Sequence, residues 1–255
     1  MPPICYHLAL AQQAAWRLAL PLLEGNMGSY LLGSTLPDIH IITQGSRDQT
    51  HFFDLASPQP RSGAEALFEA HPELIKGSAL DEGGQALVAG YLCHLVSDEV
   101  WIMDIYRPFF GRGAPWGDDP MANIWDRALQ YELDRRARID QTTMAQVRAH
   151  LARAVPAQGL SLMDRAPLEE WRHFVAMAAS QEATWDRFAL FARQFLLPRS
   201  KVSVEQLDSF LASLPQGLGR ILHQVGEARL AAFEEKAIAQ SMAVIQEYLS
   251  AHSQG

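Results

Sequence analysis

Residues 86–100 read ALVAGYLCHLVSDEV, an apolar run interrupted by an imidazole and a carboxylate, His94 and Asp98. A helix that is apolar on every side has to be buried on every side. Ionisable groups inside it must find partners there, because a buried polar group without one is costly. At i,i+4 the two side chains share one helix face. Gly90 lies one turn earlier on that face, where a glycine lets another backbone or a ligand site come close. Two readings follow. Either His94 is hydrogen-bonded to its own Asp98 in a packed core, or the helix forms the wall of a site.

The elements available to cover this helix are themselves helical. Residues 6–24 have helical periodicity, with Pro21 kinking or ending the segment. After a turn at 25–28, NMGSYLLGS predicts a short helix ending near Gly33. The stretch from Thr35 to Ala56 has no clean period and reads as ordered but irregular. SPQPRSG is a loop, and SGAEALFEAHPEL is a short helix with a serine N-cap signal. The apolar run predicts a helix over 82–104, then a Pro/Gly/aromatic loop over 105–120. Pro120 suits the first turn of a helix over 120–138. Further helices are predicted near 141–155, 167–180, 181–196, 203–214 and 218–250. No period-2 run survives inspection, so the fold class is all-α. The chain reads as a single domain over 1–255, with a site-bearing half at about 1–140 and a helical half at about 141–255.

Composition narrows the function. A net charge of −8 repels a phosphate backbone, so no nucleic-acid partner is expected. Two cysteines, Cys5 and Cys93, imply no disulfide framework and fit a reducing, cytoplasmic setting. The N-terminus shows no signal-peptide pattern. The longest apolar stretches are interrupted by Arg17, Glu24 or His94, so no transmembrane segment is expected. No GxSxG or GxxxxGK[ST] motif supports serine catalysis or nucleoside triphosphate hydrolysis.

Other potential ligands precede residue 140. His7 opens the first helix, Asp38 follows Pro37, and His51 follows Thr50. With His94 and Asp98 they form a nitrogen/oxygen set that suits zinc, and also iron, manganese or nickel. His40 is an additional ligand, a partner of one, or a loop histidine. The remaining histidines, His71, His150, His173, His223 and His252, have no partners at metal spacing and read as surface or packing residues. Phe52, Phe53, Trp101, Tyr106, Phe109, Phe110 and Trp116 read as core, or as an apolar wall with Arg107 and Arg112 clamping a phosphate near its mouth.

HLALAQ, LLGSTLPDI, QTHF and GYLCHLVSD, in that order, resemble the zinc-dependent phospholipase C family. That family shares its helical fold with single-strand-specific P1-type nucleases. The resemblance covers about residues 4–105 and leaves the C-terminal helices as additions. It implies that Asp38, His51, His94 and Asp98 hold one metal and His7 a neighbouring one, with Asp98 bridging. In secreted members the free N-terminal amine is a ligand too; here Pro2 would be the terminus after loss of Met1. The family's remaining position uses histidines beyond the helical aspartate. This chain offers only Asp104, and then Asp126, Gln130 and Glu132 on the next helix. One or two ions are therefore expected. The implied activity is hydrolysis of a small-molecule or lipid phosphoester by metal-activated water, with Asp38 as the catalytic carboxylate. The competing expectation is a non-catalytic helical scaffold with a structural or vestigial metal site.

Overall fold

In a computed structural model of the protein, the apolar run forms the helix Glu82–Trp101, buried along most of its length. The structure describes residues 3–52, 62–75, 80–154 and 162–252, and among these every regular element is helical. Asp81 caps the central helix by accepting the Gly84 N–H at 2.7 Å. The helical path runs on past Trp101 through a π-turn, Ile102–Tyr106, and one more turn, Arg107–Phe109. The predicted loop therefore begins at residue 110 rather than 105. By length and composition alone Glu82–Phe109 passes as a membrane span, with mean hydropathy 1.3, which the interrupted apolar runs did not foretell. Yet 89% of its most apolar window is buried inside the fold, as in a core helix.

Two helices cover the central one. The short helix Met27–Gly33 packs on one side and the 26-residue Glu227–His252 on another. Met27–Gly33 is itself covered by Gln141–Arg153. The first helix, Ile4–Leu18, packs on Glu227–His252 and on Ala122–Ile139. The apolar core is continuous through both halves, from Leu8 and Leu92 to Phe233 and Ile245.

Several boundaries move for local reasons. The first helix ends at Leu18, and Pro21 starts a separate short helix, Pro21–Gly25. The segment read as irregular contains helical turns at Leu36–Ile39, His40–Thr43 and Asp48–His51. Each is too short for a hydrophobic period to show. The helix expected over 120–138 starts at Ala122, so Pro120 precedes it. The helix expected over 181–196 starts at Trp185, and the one over 218–250 is two, broken at Gly226 with φ 85°. Phe53, residues 57–61 of the SPQPRSG loop, and Pro2 lie outside the described residues.

The packing of Met27–Gly33 on the central helix depends on two glycines. A Cβ at Gly33 would fall on the Leu87 carbonyl. A Cβ at Gly90 would fall on the Tyr30 carbonyl and 2.7 Å from the Ser34 nitrogen. The two backbones meet because neither residue has a side chain. Gly90→Ala forces them apart and should cost about 3 kcal/mol, the upper end for an overpacked core. That corresponds to a drop of roughly 6–12 °C in the thermal midpoint for a domain of this size. An unchanged midpoint in a thermal melt would show that the crossing is not a close constraint.

Candidate metal centre

The helix crossing delivers a specific atom. It places the Ser34 carbonyl 2.9 Å from His94 Nδ1. A carbonyl can only accept, so Nδ1 of His94 carries the proton and a neutral ring presents a bare Nε2. The turn Asp48–His51 repeats the device: His51 Nδ1 lies 3.3 Å from the Arg47 carbonyl and 3.1 Å from Thr50 Oγ1. The Thr50 hydroxyl itself donates to Arg47 O at 3.0 Å, so here too the ring donates through Nδ1. His7 follows the same rule through Ser97. The Ser97 hydroxyl donates to Cys93 O at 2.6 Å, and its oxygen faces His7 Nδ1 at 3.3 Å.

His7 is held from outside the cluster as well. No side chain of its own segment caps the first helix. The buried Asp134 carboxylate does so, accepting the Tyr6 N–H at 3.1 Å. Asp134 is in turn bound by Arg138 at 2.6 Å, which also donates to the carbonyls of Ala178 and Gln181. This anchor was not singled out in the sequence, although Asp134 and Arg138 stand at i,i+4.

The five expected ligands converge. His51 Nε2 lies 3.4 Å from Asp38 Oδ1 and 3.4 Å from Asp98 Oδ2. His94 Nε2 lies 3.2 Å from His51 Nε2 and 3.6 Å from Asp98 Oδ2. His7 Nε2 faces Asp98 Oδ1 at 3.5 Å. Both of these last atoms are buried without a hydrogen-bond partner among the described residues. His7, His51, His94 and Asp98 are at most 2% exposed, and Asp38 is 8% exposed. Solvent therefore approaches on the Asp38 side, where Arg47 also stands with 20% of its side chain exposed.

Electrostatics agrees with the geometry. Burial works to raise both carboxyl pKa values, yet the surrounding histidines hold Asp38 and Asp98 well below the usual range. Burial pushes His7 down to about 4, with His94 adding to the effect. Burial also lowers His51. At His94 burial opposes charge, but Asp98 and Asp38 win and the net direction is upward. Two ionised carboxylates and inward-facing imidazole nitrogens make up groups that could hold a cation.

A divalent ion fits. Donors about 2.0–2.1 Å from a tetrahedral ion stand about 3.3 Å apart. Among His51 Nε2, His94 Nε2, Asp38 Oδ1 and Asp98 Oδ2, four of the six separations are 3.2–3.6 Å. Groups of residues able to hold a metal are His7/His94/Asp98 and Asp38/His51/His94. His94 has one nitrogen to offer, since Nδ1 is bonded to Ser34, so it can serve only one ion at a time. A second ion would rest on the orphaned pair, His7 Nε2 and Asp98 Oδ1.

The other candidates sit elsewhere. Asp104 is bound by Lys236 at 2.7 and 2.9 Å on the outside of the fold. Asp126 accepts from Trp101 Nε1 at 3.0 Å and from Gln130 Nε2 at 2.7 Å. Glu132 pairs with Arg135 and Arg136. His40 bonds the Pro37 carbonyl through Nδ1 at 3.2 Å, and its ring stands edge-on to His51 at 5.6 Å. It is a neighbour of the cluster rather than a member of either metal-competent group. Phe109, Phe110, Trp116 and Trp125 contact one another in tilted and edge-on pairs, and Phe110 is buried, so these rings serve packing. Among the described residues, Arg47 is an arginine that touches the cluster, through Nη2 on Asp98 Oδ2 at 3.2 Å. A groove of about 580 Å³ beside Trp16 and Arg136 contains no cluster residue.

Because Ser97 orients His7, Ser97→Ala should weaken a cation held at His7 by roughly 10–100-fold. A cation held by His51 and His94 should be unaffected. Zinc titration against a competing chelator measures both. Equal affinities in variant and wild type would mean that Ser97 does not position the ring.

Comparison with known proteins places these residues in a family pattern. Residues 6–101 match the model of the family described as zinc dependent phospholipase C. No curated protein and no solved structure matches the chain. The matched segment contains all five converging residues and stops at Trp101, before the helices that carry Asp104 and Asp126. The resemblance read from four short motifs therefore holds over residues 6–101, which carry the zinc dependent phospholipase C pattern.

Proposed function

We propose that the protein is a metal-dependent hydrolase acting on a phosphoester, with a small-molecule or lipid substrate of the phospholipase C kind. The observation that carries this reading is the convergence of three imidazole Nε2 atoms and two carboxylates in one buried cluster. Asp38, His51, His94 and Asp98 would hold one zinc ion. His7 and the second oxygen of Asp98 would hold another where two are bound. Iron, manganese or nickel would suit the same nitrogen/oxygen set.

A divalent ion supplies a bound water of lowered pKa and polarises a phosphoryl oxygen. The chain's own residues do the rest. Asp38, the most exposed of the five, orients the attacking water at the mouth and accepts its proton. The Ser34, Arg47 and Ser97 oxygens keep the three rings turned so that Nε2 faces inward. The apolar helix around them limits water to that one side. Both cysteines are buried free thiols, which fits the reducing cytoplasm we propose as the setting.

One observation favours a second reading. Asp98 Oδ2 lies within 3.6 Å of both His51 Nε2 and His94 Nε2, so with Asp38 it would give a zinc ion four protein donors, and closed shells are structural. The protein would then be a helical scaffold whose metal contributes stability without turnover.

Metal per chain, measured by elemental mass spectrometry, should be one or two equivalents in wild type and near zero in His94→Ala/Asp98→Ala. On soluble phosphodiesters, phosphomonoesters and a short-chain phospholipid, Asp38→Asn should lower kcat by roughly 10²-fold or more. Bound zinc with no hydrolysis of any of these would select the scaffold. No bound metal, after incubation with zinc, iron and manganese, would reject both readings.

A further inference from the structure

Arg47 touches the cluster twice. Its carbonyl accepts from His51 Nδ1 at 3.3 Å, and its guanidinium Nη2 donates to Asp98 Oδ2 at 3.2 Å. That oxygen is the one facing His51 Nε2 and His94 Nε2, so a positive side chain stands directly at the proposed ion's edge. The Arg47 side chain also reaches the solvent side, 20% exposed against 2% for Asp98, while its Nε and Nη1 are buried.

Charge gives this placement a consequence. Asp38 and Asp98 contribute −2, and one divalent ion cancels them. With Arg47 the centre carries a net +1 inside a chain of net charge −8. An anion is then drawn to the centre because of Arg47. A guanidinium is the side chain whose planar fork matches phosphate oxygens, and it remains charged at any working pH.

We propose that Arg47 is the anion-binding residue of the centre, holding a phosphate group beside the metal at the Asp38 mouth. This assigns to Arg47 the clamp that the sequence suggested for Arg107 or Arg112. The inference rests on the reading that the cluster holds a divalent ion. The shared ligand chemistry is a phosphate group, supplied either as free phosphate or within a lipid headgroup.

The test uses the full-length, zinc-loaded protein as wild type, Arg47→Met and Arg47→Lys. Zinc content is measured by elemental mass spectrometry. Binding of inorganic phosphate, and of a short-chain phosphatidylcholine below its micelle concentration, is measured by calorimetry. Arg47→Met should keep its zinc and bind at least one probe tenfold or more weakly, with Arg47→Lys intermediate because it restores charge without the fork. The probe that weakens identifies the source, free phosphate or headgroup. Arg47→Met that binds both probes as wild type does would overturn the proposal. So would zinc-loaded wild type that binds neither, or Arg47→Met that loses its zinc, since Arg47 would then serve only to hold Asp98 and His51. Wild type that takes up no zinc would instead fail the metal reading, and this proposal with it.

Discussion

The bond from His94 Nδ1 to the Ser34 carbonyl is the contact on which the centre depends. It exists because Met27–Gly33 and the central helix approach to backbone contact at Gly33 and Gly90. With a side chain at either position, the carbonyl would stand farther off and the ring would be free to turn. Packing, tautomer and ligand direction are thus one chain of cause. Close helix approach fixes a carbonyl, the carbonyl fixes a proton, and the proton leaves the opposite nitrogen bare and pointing inward.

The second dependence runs through the C-terminal half. Glu227–His252 packs on both the central helix and the first helix, so it closes the layer behind His94 and His7. Phe233 shows how direct the support is: its ring stacks on Tyr6 at 6.3 Å and stands edge-on to Trp101 at 5.1 Å. Tyr6 OH also donates to Glu234 at 2.6 Å. Helices outside the family match therefore hold the residues inside it. The first helix reaches its position by a similar remote contact, the Asp134 carboxylate on the Tyr6 N–H, itself tied to the 165–180 helix through Arg138.

Much of this was legible in the sequence, for identifiable reasons. The central helix was readable because its burial is total, which leaves an uninterrupted apolar composition around His94 and Asp98. The five converging residues were readable because ordered motifs preserve ligand spacing across short loops. The helical turns at 36–51 were not, because three or four residues carry no period. The π-turn after Trp101 was hidden for the opposite reason. A helix that merely widens keeps its apolar composition and only shifts its hydrogen bonds. Arg47 was missed because nothing local distinguishes it: its role depends on a carboxylate 51 positions away.

The missing third position has a physical explanation of its own. Where the resembled family continues with histidines, this chain has a hydrogen-bond network around Asp126. Trp101 and Gln130 both donate to Asp126, and Arg127 donates to Gln130 at 3.0 Å. Two N–H donors on one buried carboxylate satisfy it without a metal. Asp98 is treated differently by its surroundings: its Oδ2 faces Arg47, His51 and His94, while its Oδ1 faces only His7 and has no hydrogen bond. The contrast between two buried aspartates on neighbouring helices separates structure from chemistry. One carboxylate has its donors supplied by the fold, and the other keeps an oxygen without a hydrogen bond among the described residues, in a group that could hold a cation.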